Sequence, residues 1–228
     1  MKRLSVVLFD VDGVLLDSLT PHLKICEDKN KEYGLGLKIP NAKQFKQMVR
    51  AGIRISPMKY FFTAVGFPDE FADKANVQYQ QIFLKQYAPR PFLGMQEALA
   101  ALRKDNFQLG IVTSNVKENV LGALGSSVGF FRKDCILSKD DMAGISKSQA
   151  IGKAVSNFQV NPDEVIYVGD QPADWEAAKA AGVRFLGVTY GWGISEEDKE
   201  FPTVKNISGI YSYIQGKYLP QLESQVAR

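Results

Sequence analysis

The chain has 228 residues, of which 45% are hydrophobic and 23% charged, and its formal net charge is +3. This length allows one large domain or two small ones, and the composition excludes a mainly disordered chain and a fibre. No apolar run approaches the roughly 20 residues that span a bilayer. The mild positive charge does not by itself indicate nucleic acid. The sequence therefore predicts a globular protein that binds neither a membrane nor a nucleic acid.

The first apolar segment, residues 4–9, follows basic residues and so imitates the start of a secretory signal. Asp10 and Asp12 end the run after too few residues, and no small-residue cleavage site follows. The two cysteines, Cys26 and Cys135, form no CxxC pair, and the sequence gives no support for a disulfide. We therefore interpret residues 4–9 as a buried strand of a cytoplasmic protein.

Two patterns alternate along most of the chain. Continuously apolar, β-branched runs predict strands that are buried on both faces, at residues 4–9, 107–112, 135–137, 165–168 and 183–188. Helical periodicity predicts helices at residues 95–104, 117–124, 148–157 and 172–181, and a final one over 207–215. This alternation predicts an α/β fold with a Rossmann-like parallel sheet and helices on both of its faces.

The segment 15–88 differs from the rest because it shows no convincing strand pattern. Its apolar residues recur at helical spacing, and glycines and prolines divide it into about four helices. We therefore predict a small all-helical domain, residues 15–88, inserted into a core of residues 1–14 and 89–228. The short segments 14–17 and 89–91 are expected to connect the two.

Two aspartates follow the first predicted strand directly, in the run Asp10-Val11-Asp12-Gly13. Residues i and i+2 of an extended segment point the same way, so the two carboxylates are expected to lie side by side at the strand end. Their mutual repulsion requires a proton or a cation nearby. An ordinary Asp-rich turn would show the same four residues, so this run alone does not decide between a site and a turn.

A second acidic segment begins at Gly169, after another predicted strand. It places Asp170 at the strand end and Asp174 four residues later. Capping of the helix that begins near Pro172 would explain these acids equally well. If the strand ends meet at one edge of the sheet, however, these carboxylates approach the first pair. Such a set of hard oxygen ligands suits Mg²⁺.

Two further polar groups stand near predicted helix starts. Thr113, Ser114 and Asn115 follow the strand at 107–112, and their hydroxyls, amide and backbone N–H groups can hold phosphate oxygens. Capping of the next helix is an equally frequent role for such residues. Lys147 stands just before the helix at 148–157, and on its own it is most simply a solvated surface charge.

Taken together and in this order, these segments resemble the motifs of the haloacid dehalogenase superfamily of aspartate-dependent phosphohydrolases. The first motif, DxDG[TV], corresponds to residues 10–14, and the Thr or Ser of the second corresponds to Thr113. The lysine of the third corresponds to Lys147, and the GDxxxD of the fourth corresponds to residues 169–174. The resemblance extends from about residue 4 to residue 188.

The resemblance to the third motif has one departure. The family often has a proline after the lysine, and this chain has Ser148 there. Lys139 and Lys153 are alternatives to Lys147, but each falls away from the expected turn.

The resemblance also implies a role for each matched residue. Asp10 is expected to be the nucleophile that forms an aspartyl-phosphate, and Asp12 the general acid and base. The residues expected to bind the transferring phosphoryl group are Thr113 and Lys147. The expected Mg²⁺ ligands are Asp10, Asp12 (through its backbone carbonyl), Asp170 and Asp174. Because the dehalogenases lack the second aspartate of the first motif, Asp12 favours phosphoryl transfer.

The inserted helices resemble the C1 cap of phosphoglycolate phosphatases and β-phosphoglucomutases, so we call residues 15–88 the helical cap. A cap of this kind closes over the substrate and excludes water. Within it, the resemblance places His22 near the general acid and Arg54 near an anionic substrate. A surface histidine and a solvent-facing arginine are the alternatives, and Arg50 competes with Arg54 for the same role.

The resulting hypothesis is a Mg²⁺-dependent phosphatase that acts on a small phosphorylated metabolite, as a monomer or a small homo-oligomer. A phosphomutase of the β-phosphoglucomutase type would use the same residues. A phosphate-accepting receiver module would be about half this length and would lack the cap. A non-catalytic binding protein is the remaining alternative, and the presence of every expected catalytic residue argues against it.

Overall fold

The computed structural model describes residues 4–218, apart from the side chain of Gln80. The strands are β1 (Val6–Phe9), β2 (Leu16–Asp17), β3 (Arg90–Pro91), β4 (Gln108–Val112), β5 (Ile136–Leu137), β6 (Val165–Gly169), β7 (Arg184–Val188) and β8 (Thr203–Val204). Six of the strands in this described part form one sheet in the order β5-β4-β1-β6-β7-β8, and each neighbouring pair is parallel.

The central strand β1 shows why its sequence is continuously apolar. Val7 and Phe9 belong to a hydrophobic cluster on one face of the sheet, whereas Val6 and Leu8 belong to a cluster on the other. All four are at most 1% exposed. Since neither face meets solvent, the strand has no position for a polar residue. The predicted α/β fold with both faces of a parallel sheet covered is therefore confirmed.

The helices are α1 (Leu19–Tyr33), α2 (Ala42–Arg50), α3 (Met58–Ala64), α4 (Asp69–Gln86), α5 (Met95–Lys104), α6 (Lys117–Leu124), α7 (Lys147–Phe158), α8 (Pro172–Ala180) and α9 (Ser208–Tyr218). Helices α5 and α6 have the predicted bounds. Helix α7 begins one residue earlier than expected because Ser146 is its N-cap, with its hydroxyl accepting the Gln149 backbone N–H. Lys147 is therefore the first residue of this helix.

Helices α1–α4 lie between β2 and β3 in the chain and share a hydrophobic cluster, which Trp192 from the core also joins. Its largest fully buried side chains include Phe45, Phe61, Phe62 and Phe83. This cluster accounts for the helical spacing of the apolar residues in the segment. The exact bounds of the helical cap, 15–88, stay a prediction. None of the helices within residues 4–218 is long and apolar enough to cross a membrane.

The two connections between the helical cap and the sheet pair with each other. Strands β2 and β3 are antiparallel, with Leu16 opposite Pro91 and Asp17 opposite Arg90. The expectation that residues 15–88 contain no strand is therefore wrong at β2. A strand of two residues is too short to show alternation, and the signal that forms it comes from the other connection, about seventy positions away in the chain.

Candidate active site

Three neighbouring strands end at one edge of the sheet, and each is followed by a predicted site residue. Asp10 follows the central strand β1, Thr113 follows β4 and Asp170 follows β6. The hydrogen-bond ladder continues through the first two, because the Asp10 N–H donates to the Val168 carbonyl and the Thr113 N–H to the Leu137 carbonyl, both at 2.9 Å. This edge, at the carboxyl ends of parallel strands, is where open α/β sheets bind ligands.

Lys147 joins two of the predicted carboxylates. Its Nζ lies 2.6 Å from Asp10 Oδ2 and 2.5 Å from Asp174 Oδ1, and its side chain is 18% exposed. Burial disfavours the ammonium, but the two carboxylates outweigh burial and raise the pKa of Lys147 well above its usual value. The alternative lysines, Lys139 and Lys153, are exposed. Lys147 is therefore the candidate lysine that the fold brings to Asp10.

Asp174 uses its two oxygens differently. Oδ1 faces Lys147, while Oδ2 accepts the backbone N–H groups of Asp170 and Gln171, each at 3.1 Å. Gln171 is the N-cap of α8 and forms a capping box with Asp174. Capping thus accounts for one oxygen of Asp174 and leaves the other for the site, whereas Asp170 is not the N-cap. Burial raises the pKa of Asp174, and Lys147 opposes that rise.

Backbone encloses the side chain of Asp170. Its Oδ2 accepts a 2.6 Å hydrogen bond from the Trp192 N–H. A Cβ added to Gly13 would lie 2.1 Å from the same oxygen, and a Cβ added to Gly191 would lie 2.3 Å from the Asp170 Cβ. Gly13 also has a φ of +76°, which favours glycine. The carboxylate fits this position only because both neighbours lack a side chain.

Asp10, Asp170 and Asp174 form an acidic group that suits a cation. One oxygen from each lies within 4.8 Å of the others. Asp170 Oδ1 is buried and has no hydrogen-bond partner in the described part of the chain. Burial raises the pKa of Asp170 well above its usual value, and the nearby Asp174 and Asp10 raise it further. An orphaned oxygen and clustered hard ligands fit a divalent cation, which would neutralise the charge that Lys147 leaves unbalanced.

Asp12, the fourth predicted metal ligand, is not a member of this acidic group. Its Oδ2 accepts a 2.8 Å hydrogen bond from the Asn115 amide instead. Burial raises the pKa of Asp12; His22 opposes that rise and Asp10 adds to it. The two aspartates of the first motif therefore interact electrostatically, but their side chains form hydrogen bonds with different residues. A raised pKa suits a carboxyl that donates a proton near neutral pH.

The segment after β4 is held by its own side chains. Thr113 Oγ1 accepts the Asn115 N–H at 3.3 Å, and Asn115 Oδ1 accepts the Val116 N–H at 2.8 Å. The N-cap of α6 is Val116, which makes no side-chain capping bond, so capping does not explain these polar residues. Thr113 is buried beside Asp10's strand and Ser114 is exposed. The Asn115 amide is directed to Asp12, and a role in binding phosphate stays a prediction.

His22, on α1, is buried next to the general-acid candidate. Its Nδ1 contacts the Ser18 carbonyl oxygen, and its Nε2 lies 3.0 Å from the Tyr79 hydroxyl. Burial lowers the pKa of His22, and the Asp12 carboxylate opposes that change. A surface histidine, the alternative considered from the sequence, is therefore excluded. A contact between His22 and substrate stays a prediction.

Arg54 is exposed, and its side chain contacts two residues of the helical cap. Its Nε donates to the Ser56 carbonyl at 3.1 Å, and its guanidinium lies 3.8 Å from the centre of the Tyr60 ring. The competing Arg50 reaches the core instead, where its Nη1 donates to the Gly193 carbonyl at 3.3 Å. The predicted contact of Arg54 with substrate gains no support from these neighbours.

Two residues next to the site were not assigned a role from the sequence. Trp192 presents its backbone N–H to Asp170, and Lys46, on α2, donates from its Nζ to the Tyr190 carbonyl at 3.0 Å. Burial lowers the pKa of Lys46, while Asp170 and Asp17 oppose that change. The flanking glycines of Trp192 are a visible signal of a close approach. The sequence gives no indication that Lys46 lies near the site, because it is one of many lysines and its partner is 144 positions away.

Comparison with known proteins shows which family the chain belongs to. The model of a family described as haloacid dehalogenase-like hydrolase matches residues 7–188. The chain belongs to this family. The matched residues contain all four segments that carry the site, from Asp10 to Asp174.

Among the relatives of this family member is a phosphoglycolate phosphatase of Nitrosococcus oceani, 28% identical over 88% of this chain and 91% of the relative. An N-acetylmuramic acid 6-phosphate phosphatase of Pseudomonas aeruginosa is 28% identical over 86% of each chain. A haloacid dehalogenase-like hydrolase of Streptococcus pneumoniae superposes with a TM-score of 0.75 at 22% identity, covering 94% of this chain and all of that one. The last likeness supports the fold alone.

Proposed function

We propose that the protein is a Mg²⁺-dependent phosphatase that hydrolyses a small phosphorylated metabolite through an aspartyl-phosphate on Asp10. The observation that carries this proposal is the cluster at the sheet edge, in which Lys147 contacts Asp10 and Asp174 while Asp170 lies beside them with an unpartnered oxygen. Both curated relatives described above are phosphatases of small phosphate esters by name, which supports the same reaction.

Asp10 would act as the nucleophile. Its Oδ1 accepts the Val11 N–H at 2.7 Å and its Oδ2 contacts Lys147, so the carboxylate is fixed at the end of β1. One of its oxygens forms a bond to phosphorus as the bond from phosphorus to the ester oxygen breaks. Thr113 and Lys147 would bind the equatorial phosphoryl oxygens, where charge develops in the transition state.

Asp12 would manage the proton in both half-reactions. In the first, its protonated carboxyl gives a proton to the departing ester oxygen. In the second, the carboxylate takes a proton from the water that attacks the aspartyl-phosphate, which releases inorganic phosphate and restores Asp10. The raised pKa of Asp12 favours the protonated form that the first step needs. The hydrogen bond from Asn115 orients the carboxyl.

Asp10, Asp170 and Asp174, with the backbone carbonyl of Asp12, are the residues that would hold Mg²⁺. When bound, the cation supplies positive charge that lowers the repulsion between the Asp10 carboxylate and an anionic phosphate. The choice of Mg²⁺ over softer divalent cations rests on the hard carboxylate and carbonyl oxygens of these residues.

The helical cap, residues 15–88, would cover the substrate and set specificity. The Lys46 ammonium is attracted by the charge of Asp170, and its hydrogen bond to Tyr190 places it at the boundary between cap and core. Lys46 is therefore a better candidate than Arg54 for binding an anionic substrate. We propose a cytoplasmic enzyme that acts as a monomer or a small homo-oligomer without a nucleic-acid partner.

The test is hydrolysis of a panel of small phosphate esters, including 2-phosphoglycolate, sugar phosphates and an aryl phosphate. Each is assayed with Mg²⁺, with chelator and with Asp10→Asn. We expect Mg²⁺-dependent phosphate release that both controls abolish. Release that persists in Asp10→Asn would overturn the assignment of the nucleophile.

A phosphomutase would give a different result in the same experiment. It would retain phosphate on Asp10 and return it to a sugar phosphate, so isomerisation without phosphate release would replace the phosphatase proposal. Rapid loss of label from Asp10 to water would support the phosphatase.

A further inference from the structure

Trp192 belongs to two parts of the molecule at once. Its backbone N–H donates to Asp170 Oδ2 at the sheet edge, whereas its indole is a member of the hydrophobic cluster of the helical cap. The side chain is 7% exposed, although the residue lies in the loop that follows β7. A core loop has therefore inserted its largest side chain into the interior of the inserted domain.

The indole is held by aromatic rings that come from the helical cap. Its ring centre lies 6.2 Å from that of Phe45, 5.8 Å from that of Phe61 and 5.4 Å from that of His22, each in an edge-to-face arrangement. Aromatic pairs at these separations prefer this geometry, and each pair adds to the stabilisation that comes from burial alone. The position of the indole therefore depends on the packing of α1, α2 and α3.

The same loop wraps around Asp170. Besides the bond from Trp192 to Oδ2, the N–H groups of Gly193 and Ile194 donate to the Asp170 carbonyl at 3.0 Å and 2.8 Å. The close approach is possible because Gly191 has no Cβ to strike the Asp170 side chain. Three backbone donors of one short loop thus determine where this residue lies.

Helix α2 of the helical cap also contacts the loop that contains Trp192. Lys46 donates to the Tyr190 carbonyl and Arg50 donates to the Gly193 carbonyl, one on each side of Trp192. Val49 lies between them, and its Cγ1 would be 3.0 Å from a Cβ added to Gly193. The loop is therefore clamped between α2 and Asp170.

We propose that Trp192 is a positioning residue that couples the packing of the helical cap to the orientation of the Asp170 carboxylate. Every residue except proline would offer the same backbone N–H at position 192, but the indole determines where that N–H lies. The cap thereby influences cation binding at a site to which it contributes no carboxylate. This inference rests on the proposed function for its importance to turnover, and its test does not depend on turnover.

The test compares two buried phenylalanines of the helical cap. Phe45 and Phe62 are both 0% exposed, but the ring of Phe45 contacts Trp192 while that of Phe62 packs on Phe67. Mg²⁺ is titrated calorimetrically, without substrate, into Phe45→Leu and Phe62→Leu. We expect the affinity for Mg²⁺ to fall about tenfold in Phe45→Leu, which corresponds to about 1.4 kcal/mol, and to stay within about twofold of the wild type in Phe62→Leu. Equal affinities in the two variants would overturn the proposal.

Substitutions of the tryptophan itself give a second measurement. We expect Trp192→Phe to restore most of the Mg²⁺ affinity that Trp192→Ala loses, since a smaller ring still fills part of the cluster. Trp175→Phe is the matched control, because that tryptophan packs on Phe185 and Phe201. A Trp175→Phe variant that weakened Mg²⁺ binding as strongly as Trp192→Ala would contradict the assignment.

The two proposals can fail separately. If the wild type hydrolyses none of the esters while Phe45→Leu still binds Mg²⁺ more weakly than Phe62→Leu, the proposed function is overturned and the coupling stands. If hydrolysis is normal and the two variants bind Mg²⁺ equally, the coupling is overturned and the function stands.

Discussion

Replacement of Lys147 by methionine removes the cation that contacts two buried carboxylates while keeping a chain of similar length. Its Nζ lies 2.6 Å from Asp10 and 2.5 Å from Asp174, and these side chains are 7% and 2% exposed. Removing one partner of a buried ion pair typically costs about 3–5 kcal/mol. Because a carboxyl left behind can take up a proton, we expect a loss of about 2–3 kcal/mol at pH 7.

This loss of stability is measurable by thermal unfolding. A destabilisation of 1 kcal/mol lowers the melting temperature by about 2–4 °C in a chain of this size, so Lys147→Met is expected to melt about 4–12 °C below the wild type. Removing a charge aimed at the transferring phosphoryl group is expected to lower kcat by about 10²–10³-fold. Hydrolysis of an aryl phosphate at saturating Mg²⁺ measures that change at a temperature where both proteins are folded.

The exposed Lys153, on the same helix, is the matched control. Lys153→Met is expected to retain the melting temperature and kcat of the wild type, and so is Lys139→Met. The assignment is refuted if Lys147→Met keeps more than about a third of the activity, since a phosphoryl-binding cation is worth far more than that. It is equally refuted if either control loses as much activity as Lys147→Met.

The remaining predictions concern the cation site and the helical cap. In the metal-free protein, Asp170→Asn removes a buried charge and is expected to stabilise the fold by about 1–2 kcal/mol while abolishing the rise in melting temperature on addition of Mg²⁺. Because burial raises the folded-state pKa of Asp170 above its ordinary 3.8, the stability of the metal-free wild type relative to metal-free Asp170→Asn is expected to fall as the pH rises from about 4 through that raised pKa. Gly13→Ala brings a Cβ to 2.1 Å from the Asp170 carboxylate, and we expect at least a 100-fold loss (about 2.7 kcal/mol) of Mg²⁺-dependent kcat. Lys46→Ala is expected to raise the substrate KM about tenfold, against about twofold for Arg54→Ala.

Each of these predictions has a control. Glu176→Gln, at an exposed site of α8, is the control for Asp170→Asn and should leave the melting temperature and its rise on addition of Mg²⁺ unchanged. Gly36→Ala imposes a similar positive φ of +66° with nothing within 4 Å of the added Cβ, so it separates backbone strain from the clash at Gly13. A metal-free wild type whose stability relative to Asp170→Asn rises with pH over this range would contradict the assignment of the Asp170 pKa. Equal KM values for the Lys46 and Arg54 variants would remove Lys46 as a substrate contact.

The sheet was predictable from sequence because its strands are buried on both faces. The apolar run at β1 and the polar residue after it both follow from that burial, so the sequence alone predicts that Asp10 and Asp170 lie at one edge of the sheet. Helices such as α5 were also predictable, since each buries one stripe against the sheet. Strand β8 was not, because two residues carry no periodicity.

The site could be predicted only in part, because several of its contacts join residues that are far apart in the sequence. The role of Trp192 depends on a backbone N–H, which every residue other than proline possesses, and on rings more than a hundred positions away. Sequence patterns describe side chains and local spacing, so they carry no record of such a bond. The sequence also could not decide whether Asp174 caps a helix or belongs to the site. In the structure it does both, because one oxygen accepts the Gln171 N–H at the start of α8 and the other contacts Lys147.

Because β2 pairs with β3, the helical segment between these two strands could be replaced without disturbing the core. Asp17 and Arg90 are paired directly, and the Phe92 N–H donates to the Leu15 carbonyl at 3.0 Å, so the chain leaves the core and returns to it at adjacent points. A two-residue Asn-Gly turn between paired strand ends is sufficient to close a hairpin. Residues 18–89 could thus be replaced by such a turn, or by a different insertion, without altering the register of the sheet. Removal of the helical cap would, however, expose the indole of Trp192 to water, because the rings that cover it belong to the cap. Any replacement insertion would have to supply another apolar surface for this indole.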